Sequence, residues 1–247
     1  MAKVLDNIRV VLVETSHPGN IGATARAMKT MGLQHLRLVN PKYFPHADAT
    51  AMASGADDLL GRAEVFERLT DAVADCVAVV GASARLRTHH WPTVDARDSA
   101  QKLLAASAGE PLAVVFGRER SGLSNEELDH CQWLLNIPAN PDYASLNLAM
   151  AVQIVSYELR MAQLGEGPVD ATAAEPAPAG ELERLFEHLE QVMVQTDFLN
   201  PDNPRYLMRR LRLLFNRATP DQNEVNILRG LLTSVQRLKS MPDKPQD

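Results

Sequence analysis

Cysteine, positive charge and long apolar runs are all in short supply in this chain of 247 residues. Cys76 and Cys131 have no metal-binding or redox spacing, so we expect buried thiols in a reducing compartment. The formal net charge of -6 argues against a simple basic nucleic-acid binder, although local patches still decide such binding. No run reaches the roughly 18 apolar residues of a transmembrane helix, and the start does not have the pattern of a signal peptide. These absences predict a cytoplasmic protein that does not enter a membrane.

What the sequence does have is an alternation of short apolar runs and helix-like segments up to residue 164. The runs are rich in Val, Leu and Ile and do not alternate with polar residues, which suits strands covered on both faces. The sequence therefore predicts an α/β fold, a parallel sheet with helices on both faces. The expected strands lie in residues 8–14, 36–41, 77–83, 111–119 and 133–139.

A change of composition divides the chain into two parts. Residues 165–180 consist mainly of Gly, Ala, Pro and acidic residues, which is typical of a linker. Residues 181–247 that follow show apolar residues three and four apart, the period of a helix. We expect a domain at 1–164, a linker, and a small α-helical C-terminal extension at 181–247.

Polar residues gather where four of the expected strands end, in "ETSHPGNIGATARA", "GASARLR", "FGRERSGLSNEEL" and "IPANPDYASLN". Open α/β sheets bind their ligands at this edge. The first segment lacks the dinucleotide-binding glycine pattern, so we assign Gly19 and Gly22 to a tight turn and a helix start. Asn20 and Arg26 are candidates to face the crevice together.

The later segments combine helix signals with unexplained polar groups. Gly117 would let a ligand approach the backbone where a Cβ would otherwise stand. Ser124 and Glu127 have the spacing of a capping box, and Ser145 would cap the long helix that follows it. That helix, "LAMAVQIVSYELRMA", is apolar around most of its circumference. Since one domain of this size rarely surrounds a helix, we expect a homodimer with a symmetric interface.

Three segments resemble the SPOUT superfamily of knotted RNA methyltransferases, in its SpoU (TrmH-like) branch. They are "ETSHPGNIGATARAMKTMG", "VVFGRERSGLSNEEL" and "NIPANPDYASLNLAMAVQIVSYEL". The resemblance covers residues 8 to about 164 and implies a C-terminal trefoil knot, a homodimer, and S-adenosylmethionine held in the knot. The residues that it places on this cofactor are Ala82, Ser83, Ala84, Gly117, Ile137, Ala144, Ser145 and Leu146.

The same resemblance implies an active site made of Asn20, Arg26, Glu119, Ser145 and Asn147, in which Arg26 acts at the cofactor pocket of the other subunit. Because a guanidinium rarely gives up its proton, we expect Arg26 to clamp the substrate phosphate and hydroxyl. The segments "LMRRLRLLFNRA" and "NILRGLL" of the extension resemble one group of this family, and that resemblance implies the ribose 2′-hydroxyl of cytidine or uridine at nucleotide 32 of the tRNA anticodon loop as the substrate. Ribosomal RNA or another tRNA site is the alternative.

Binding of tRNA by an acidic protein must use local basic patches, and we expect no metal, because the scattered histidines form no metal constellation. The candidate RNA-binding residues are Arg85, Arg87, Arg205, Arg209, Arg210, Arg212 and Arg217. Like charges on one short helix repel, so the last five should meet a polyanion. Two other interpretations are a nucleotide-dependent Rossmann oxidoreductase, which would need the missing glycine pattern, and a non-catalytic RNA-binding protein.

Overall fold

The computed structural model describes residues 4–84, 91–107, 109–165 and 175–239, and within them one sheet organises the chain. Its strands are β1 (Ile8–Val13), β2 (His35–Val39), β3 (Glu64–Phe66), β4 (Ala78–Ala82), β5 (Thr93–Val94), β6 (Leu112–Phe116) and β7 (Trp133–Leu135). They lie in the order β3-β2-β1-β6-β4-β7-β5, and all neighbours are parallel. The five expected strands are confirmed, and β3 and β5 are additions at the two edges.

Helices fill the connections between strands and form the C-terminal part. They are α1 (Pro18–Met31), α2 (Ala47–Ala53), α3 (Asp57–Gly61), α4 (Leu69–Ala72), α5 (Ala96–Ala106), α6 (Asn125–Leu128), α7 (Leu148–Gly165), α8 (Ala179–Gln195), α9 (Leu207–Ala218) and α10 (Gln222–Lys239). The helix-like segment at 48–61 is split into α2 and α3, because Ser54 and Gly55 between them adopt φ angles of 48° and 87°.

Both faces of the sheet are covered, as the apolar runs predict. Val10 and Leu12 of β1 belong to the core formed with α1, α5 and α7. Val11 and Val13 of the same strand belong to the core on the opposite face, with residues from α4, α6 and α9. Successive residues of β1 thus point into different cores. Because neither face of β1 meets solvent, its sequence does not alternate between apolar and polar residues.

The C-terminal helices dock on the sheet domain and also have a small core of their own, which includes Leu182, Phe186 and Val225. The backbone N–H of Ala179 donates to the carbonyl of Cys76 at 2.7 Å, so α8 begins against the end of the α4–β4 connection. The division of the chain into domains at 1–164 and 181–247 stays a prediction. No helix in the described ranges is long and apolar enough to cross a membrane.

Candidate active site

The four polar segments lie together because β1, β6, β4 and β7 are consecutive in the sheet. Since these strands are parallel, the residues that follow them share one edge. Hydrogen bonds join the loops there: the backbone N–H of Ser83 donates to the carbonyl of Leu135 at 2.8 Å, and Asn136 Nδ2 donates to the carbonyl of Ser83 at 3.0 Å. The crevice expected at the carboxyl ends of the strands is therefore present.

The carboxylate of Glu119 joins the loop after β6 to the start of α1. Its Oε1 accepts from the backbone N–H of His17 at 3.2 Å and from Asn20 Nδ2 at 3.0 Å. The backbone N–H of Ser16 lies 3.2 Å from each carboxylate oxygen, and Ser16 Oγ donates to Oε2 at 3.0 Å. These N–H groups immediately precede α1, so the carboxylate lies at the positive end of the helix dipole, where an anion is stabilised.

These donors decide the protonation state of Glu119. Partial burial raises its pKa, but the hydrogen bonds from Asn20, Ser16 and His17 outweigh burial and hold the pKa below its ordinary value. Glu119 is therefore a carboxylate at neutral pH whose acceptor positions are directed at protein donors. This environment suits a residue that positions the loop and does not suit a proton acceptor.

Two asparagines extend the network toward α7. Asn147 Nδ2 donates to Asn20 Oδ1 at 3.0 Å, and Asn147 Oδ1 accepts from the backbone N–H of Ala149 at 2.9 Å. Asn147 therefore caps α7, and the prediction that Ser145 is the cap is wrong, because the helix begins at Leu148. The bonds also fix the amide orientations, so Asn20 and Asn147 each present defined donors and acceptors.

Arg118 fastens the same loop from its other side. Its guanidinium lies 2.7 Å from a carboxylate oxygen of Glu14 and makes two 3.0 Å bonds to Glu127. This fork geometry restricts the direction of both partners. Glu127 also completes the capping box with Ser124 at the start of α6, which confirms that prediction. Arg118 thus links the end of β1 to α6, directly beside Glu119.

Gly117 has a different role from the one expected. A Cβ at this position would lie 2.2 Å from the carbonyl carbon of Gly122 and 2.3 Å from the nitrogen of Leu123. The space where a side chain would stand is filled by the chain's own backbone, which returns through an isolated bridge between Arg118 and Gly122. Glycine is therefore required here by the tight return of the loop, and the expected approach of a ligand does not explain it.

A cavity of about 330 Å³ opens at this edge, within the size range of small-molecule sites. Phe116, Leu135 and Leu148 contribute apolar walls, and Glu119 and Arg120 also line it. Every residue that the family resemblance places on the cofactor lines this same cavity: Ala82, Ser83, Ala84, Gly117, Ile137, Ala144, Ser145 and Leu146. The small side chains among them leave room, and the apolar ones provide a surface for a flat ring.

The structure brings together Asn20, Glu119 and Asn147 of the five predicted catalytic residues. Ser145 is exposed and lines the cavity, outside the hydrogen-bonded network. Arg26 is also exposed, and it lies about 120° around α1 from Asn20 and about 1.7 turns further along. Within the described part of the chain no hydrogen bond joins the Arg26 side chain to the network. The two residues therefore lie on different sides of α1 in one subunit, and their joint action at the crevice stays a prediction.

The arginines of α9 are only partly available to RNA. Arg209 lies 3.1 Å from a carboxylate oxygen of Asp129, and Arg212 lies 2.6 Å from one of Glu183, with all four side chains largely covered. Burial raises the pKa of Glu183, but bonds from Arg212 and His130 lower it to about 2. The argument that repulsion within this cluster needs a polyanion is wrong for Arg209 and Arg212, because carboxylates from other elements neutralise them.

Arg205, Arg210 and Arg217 are exposed, so their contact with RNA stays a prediction. Arg85 and Arg87, with His89 and His90, lie outside the described residues. In the part of the chain that the structure describes, no three His, Cys, Asp or Glu side chains are grouped so that they could hold a metal ion.

Sequence reasoning missed Ser16 and His17 as partners of Glu119. Their contribution comes chiefly from backbone N–H groups, which have no residue signature. The available signal was positional, because these residues immediately precede the expected helix and such N–H groups bind anions.

Comparison with known proteins places this arrangement in a family. The sequence model of the SpoU rRNA Methylase family matches residues 7–157. The chain belongs to this family. A second model, the C-terminal domain of the tRNA methyltransferase TrmJ, matches residues 180–244. The resemblance read from the three sequence segments is confirmed, and the match extends to the helical C-terminal part.

Individual relatives agree with this result over nearly the whole chain. The tRNA (cytidine/uridine-2'-O-)-methyltransferase TrmJ of Sodalis glossinidius (strain morsitans) is 51% identical over 245 residues, which cover 98% of this chain and 96% of the relative. The crystal structure of TrmJ from Z. mobilis ZM4 has a TM-score of 0.83 at 33% identity, over 92% of this chain and 98% of that one. AviRb from Streptomyces viridochromogenes, a SpoU methyltransferase solved in complex with AdoMet, is 22% identical, with a TM-score of 0.53 over 66% of this chain and 60% of that one. It supports the fold alone.

Proposed function

We propose that this chain transfers a methyl group from S-adenosylmethionine to the ribose 2′-hydroxyl of cytidine or uridine at nucleotide 32 of tRNA. The observation that carries the proposal is the Glu119–Asn20–Asn147 network beside the 330 Å³ cavity. Relatives that match both the sheet domain and the C-terminal helices support the choice of tRNA over ribosomal RNA. Membership of the SpoU family argues against the oxidoreductase interpretation.

The residues around the cavity fit the proposed cofactor. Leu135, Ile137 and Leu146 offer an apolar surface to an adenine ring, and Ala82 and Ala84 leave room beside it. The ionised carboxylate of Glu119 at the rim suits a ligand with a positive charge. When bound, the cofactor supplies a methyl group already activated on a sulfonium.

The work left for the protein is positioning, which can contribute about 7–11 kcal/mol to a reaction between two oriented groups. The network holds Asn20 and Asn147 in fixed orientations, so the second N–H group of each amide can direct a ribose hydroxyl. Arg26 supplies a guanidinium for the adjacent phosphate and the developing alkoxide, as a clamp and not as a base. The intact network argues against a non-catalytic RNA-binding role.

The proposal includes a homodimer, since Arg26 lies away from the network of its own subunit. An apolar stripe on α7 supports it: Met150, Tyr157 and Met161 are 61%, 47% and 44% exposed and recur at helical spacing on one side. Pairing along α7 would cover this stripe, as in a symmetric interface. A trefoil knot formed by the segment after β7 is the remaining part of the family-based proposal.

Nucleoside mass spectrometry tests the proposed activity directly. Purified protein is incubated with S-adenosylmethionine and tRNA transcripts that carry C or U at nucleotide 32, and the nucleosides are quantified. We expect 2′-O-methylcytidine and 2′-O-methyluridine, and a transcript with a 2′-deoxyribose at nucleotide 32 should accept no methyl group. Methylation of the 2′-deoxy transcript would show that the target is another nucleotide. Absence of methylation in every transcript would refute the proposed function.

A further inference from the structure

We infer that the loop between β2 and α2 binds a nucleobase that flanks the methylated nucleotide; this inference rests on the proposed function. Lys42, Tyr43 and His46 form the binding surface, which we call the β2–α2 patch. The ligand is an unpaired base with its phosphate, as RNA loops present them. The patch lies outside the cavity and the Glu119 network described above.

The patch is attached to the loop that Glu119 holds. The backbone N–H of Lys42 donates to the carbonyl of Thr15 at 3.1 Å, and Thr15 precedes Ser16, which donates to Glu119. β2 is also the parallel neighbour of β1, so both loops leave the sheet at the same edge. A nucleotide beside the target would therefore come within reach of this loop.

Core packing does not explain why an aromatic residue stands at position 43. Its neighbour Phe44 packs against the main core and anchors the loop, whereas Tyr43 is 50% exposed. The Lys42 Nζ lies 5.3 Å from the centroid of the Tyr43 ring, and the His46 ring lies 6.3 Å away at an angle of 53°. Proteins that bind single-stranded nucleic acids stack bases on aromatic rings of this kind, with a cation at the ring face and a second ring beside it.

The charges around the patch favour a phosphate near Lys42. The carboxylate of Asp48 lies 3.7 Å from His46 Nδ1, at the α2 end of the patch. The carboxylate of Glu14 on the neighbouring loop is engaged by Arg118. Within the described ranges no carboxylate is paired with the Lys42 ammonium, which is thus available to a phosphate.

Steady-state kinetics with a tRNA anticodon stem-loop test the patch. Stacking of one base on an aromatic ring is worth enough for Tyr43→Ala to raise KM for the RNA about ten-fold. We expect kcat and the affinity for S-adenosylmethionine to stay within about two-fold of wild type, since neither uses Tyr43. Tyr43→Phe keeps the ring and should restore the wild-type KM.

Lys42→Gln should raise KM for the RNA and flatten the salt dependence of KM. The control Arg62→Gln removes an exposed charge before β3 and should change neither quantity.

Abasic substitutions in the stem-loop identify the stacked base and separate the possible outcomes. Removal of that one flanking base should raise KM for the wild-type protein about ten-fold and have no effect on Tyr43→Ala. If every abasic RNA affects the two proteins equally, or if Tyr43→Ala keeps the wild-type KM, the inference is overturned while the proposed function stands. A wild-type protein that methylates no tRNA would remove the proposed function itself, and the inference with it.

Discussion

The carboxylate of Glu119 is surrounded by protein donors, which separates this site from those in which a carboxylate accepts a proton from substrate. Two of its partners are backbone N–H groups, and a third is the amide of Asn20. The family resemblance implied Asn20, Glu119 and Asn147 as members of one set, together with Arg26 and Ser145. The resemblance did not include Ser16 and His17, whose contribution comes chiefly from backbone N–H groups, with one further bond from the Ser16 hydroxyl.

The Glu119→Gln substitution measures this positioning role. The amide of Gln would place an N–H group against the donors of Ser16 or His17, so the start of α1 would lose charge-assisted hydrogen bonds worth about 1.5–3 kcal/mol each. We expect a fall in kcat of roughly 10- to 100-fold, with the Kd for S-adenosylmethionine changed much less. Single-turnover kinetics and calorimetry report the two quantities.

The pH dependence of the same variant provides a control. Because the pKa of Glu119 is lower in the folded protein, its contribution to stability is complete above the unfolded pKa, about 4.3, and is lost as pH falls through the folded value. The Tm difference between wild type and Glu119→Gln should therefore be full at pH 7 and narrow below about pH 4. Glu126→Gln, an exposed acid on α6, should show neither effect. A difference that widens in acid would contradict the positioning role.

At the scale of helices and strands, the sequence was most informative where burial is complete. The five central strands are continuous apolar runs because both of their faces are covered. β3 escaped prediction because Glu64 and Val65 are exposed at the edge, and β5 because it has just two residues. Gly22 was assigned to a turn, but it lies where α1 crosses α2, a contact between distant segments that no local pattern contains.

Gly22→Ala tests that crossing. A Cβ at this position would lie 1.9 Å from the carbonyl oxygen of Ala49, so the two helices must separate. We expect a loss of stability of about 3 kcal/mol, seen as a Tm lower by roughly 5–10 °C in calorimetry. Gly230→Ala is the matched control, since nothing lies within 4 Å of the added methyl group on α10. The control should be neutral or gain up to about 1 kcal/mol, and equal losses in both variants would refute the packing argument.

At the scale of the whole molecule, we propose that two subunits complete the site. α7 carries the exposed apolar stripe, and Arg26 lies away from the network of its own subunit. The sequence pointed to pairing because α7 is apolar around most of its circumference. It could not have located the docking of the C-terminal helices on the sheet domain, because the pair Arg209–Asp129 joins segments that are far apart in the chain.

Mixing two inactive variants tests whether Arg26 acts across the interface. Arg26→Ala and Asn147→Ala are mixed after reversible dissociation, so that half of the dimers contain one subunit of each kind. If Arg26 serves the partner, one of the two sites in each mixed dimer is complete, and activity should recover to about a quarter of wild type. If Arg26 serves its own subunit, the mixture stays inactive.

Met150→Glu, which places a charge on the α7 stripe, should lower the mass measured by light scattering to that of a monomer.

Asn147 uses both ends of one amide, the oxygen at the start of α7 and the nitrogen toward Asn20. Among the residues that begin helices well, Ser, Thr and Asp match the first task, but none of them offers an N–H donor together with a carbonyl acceptor on the same planar group. The start of α7 and the proposed chemistry therefore both require the same residue type, Asn, at this position.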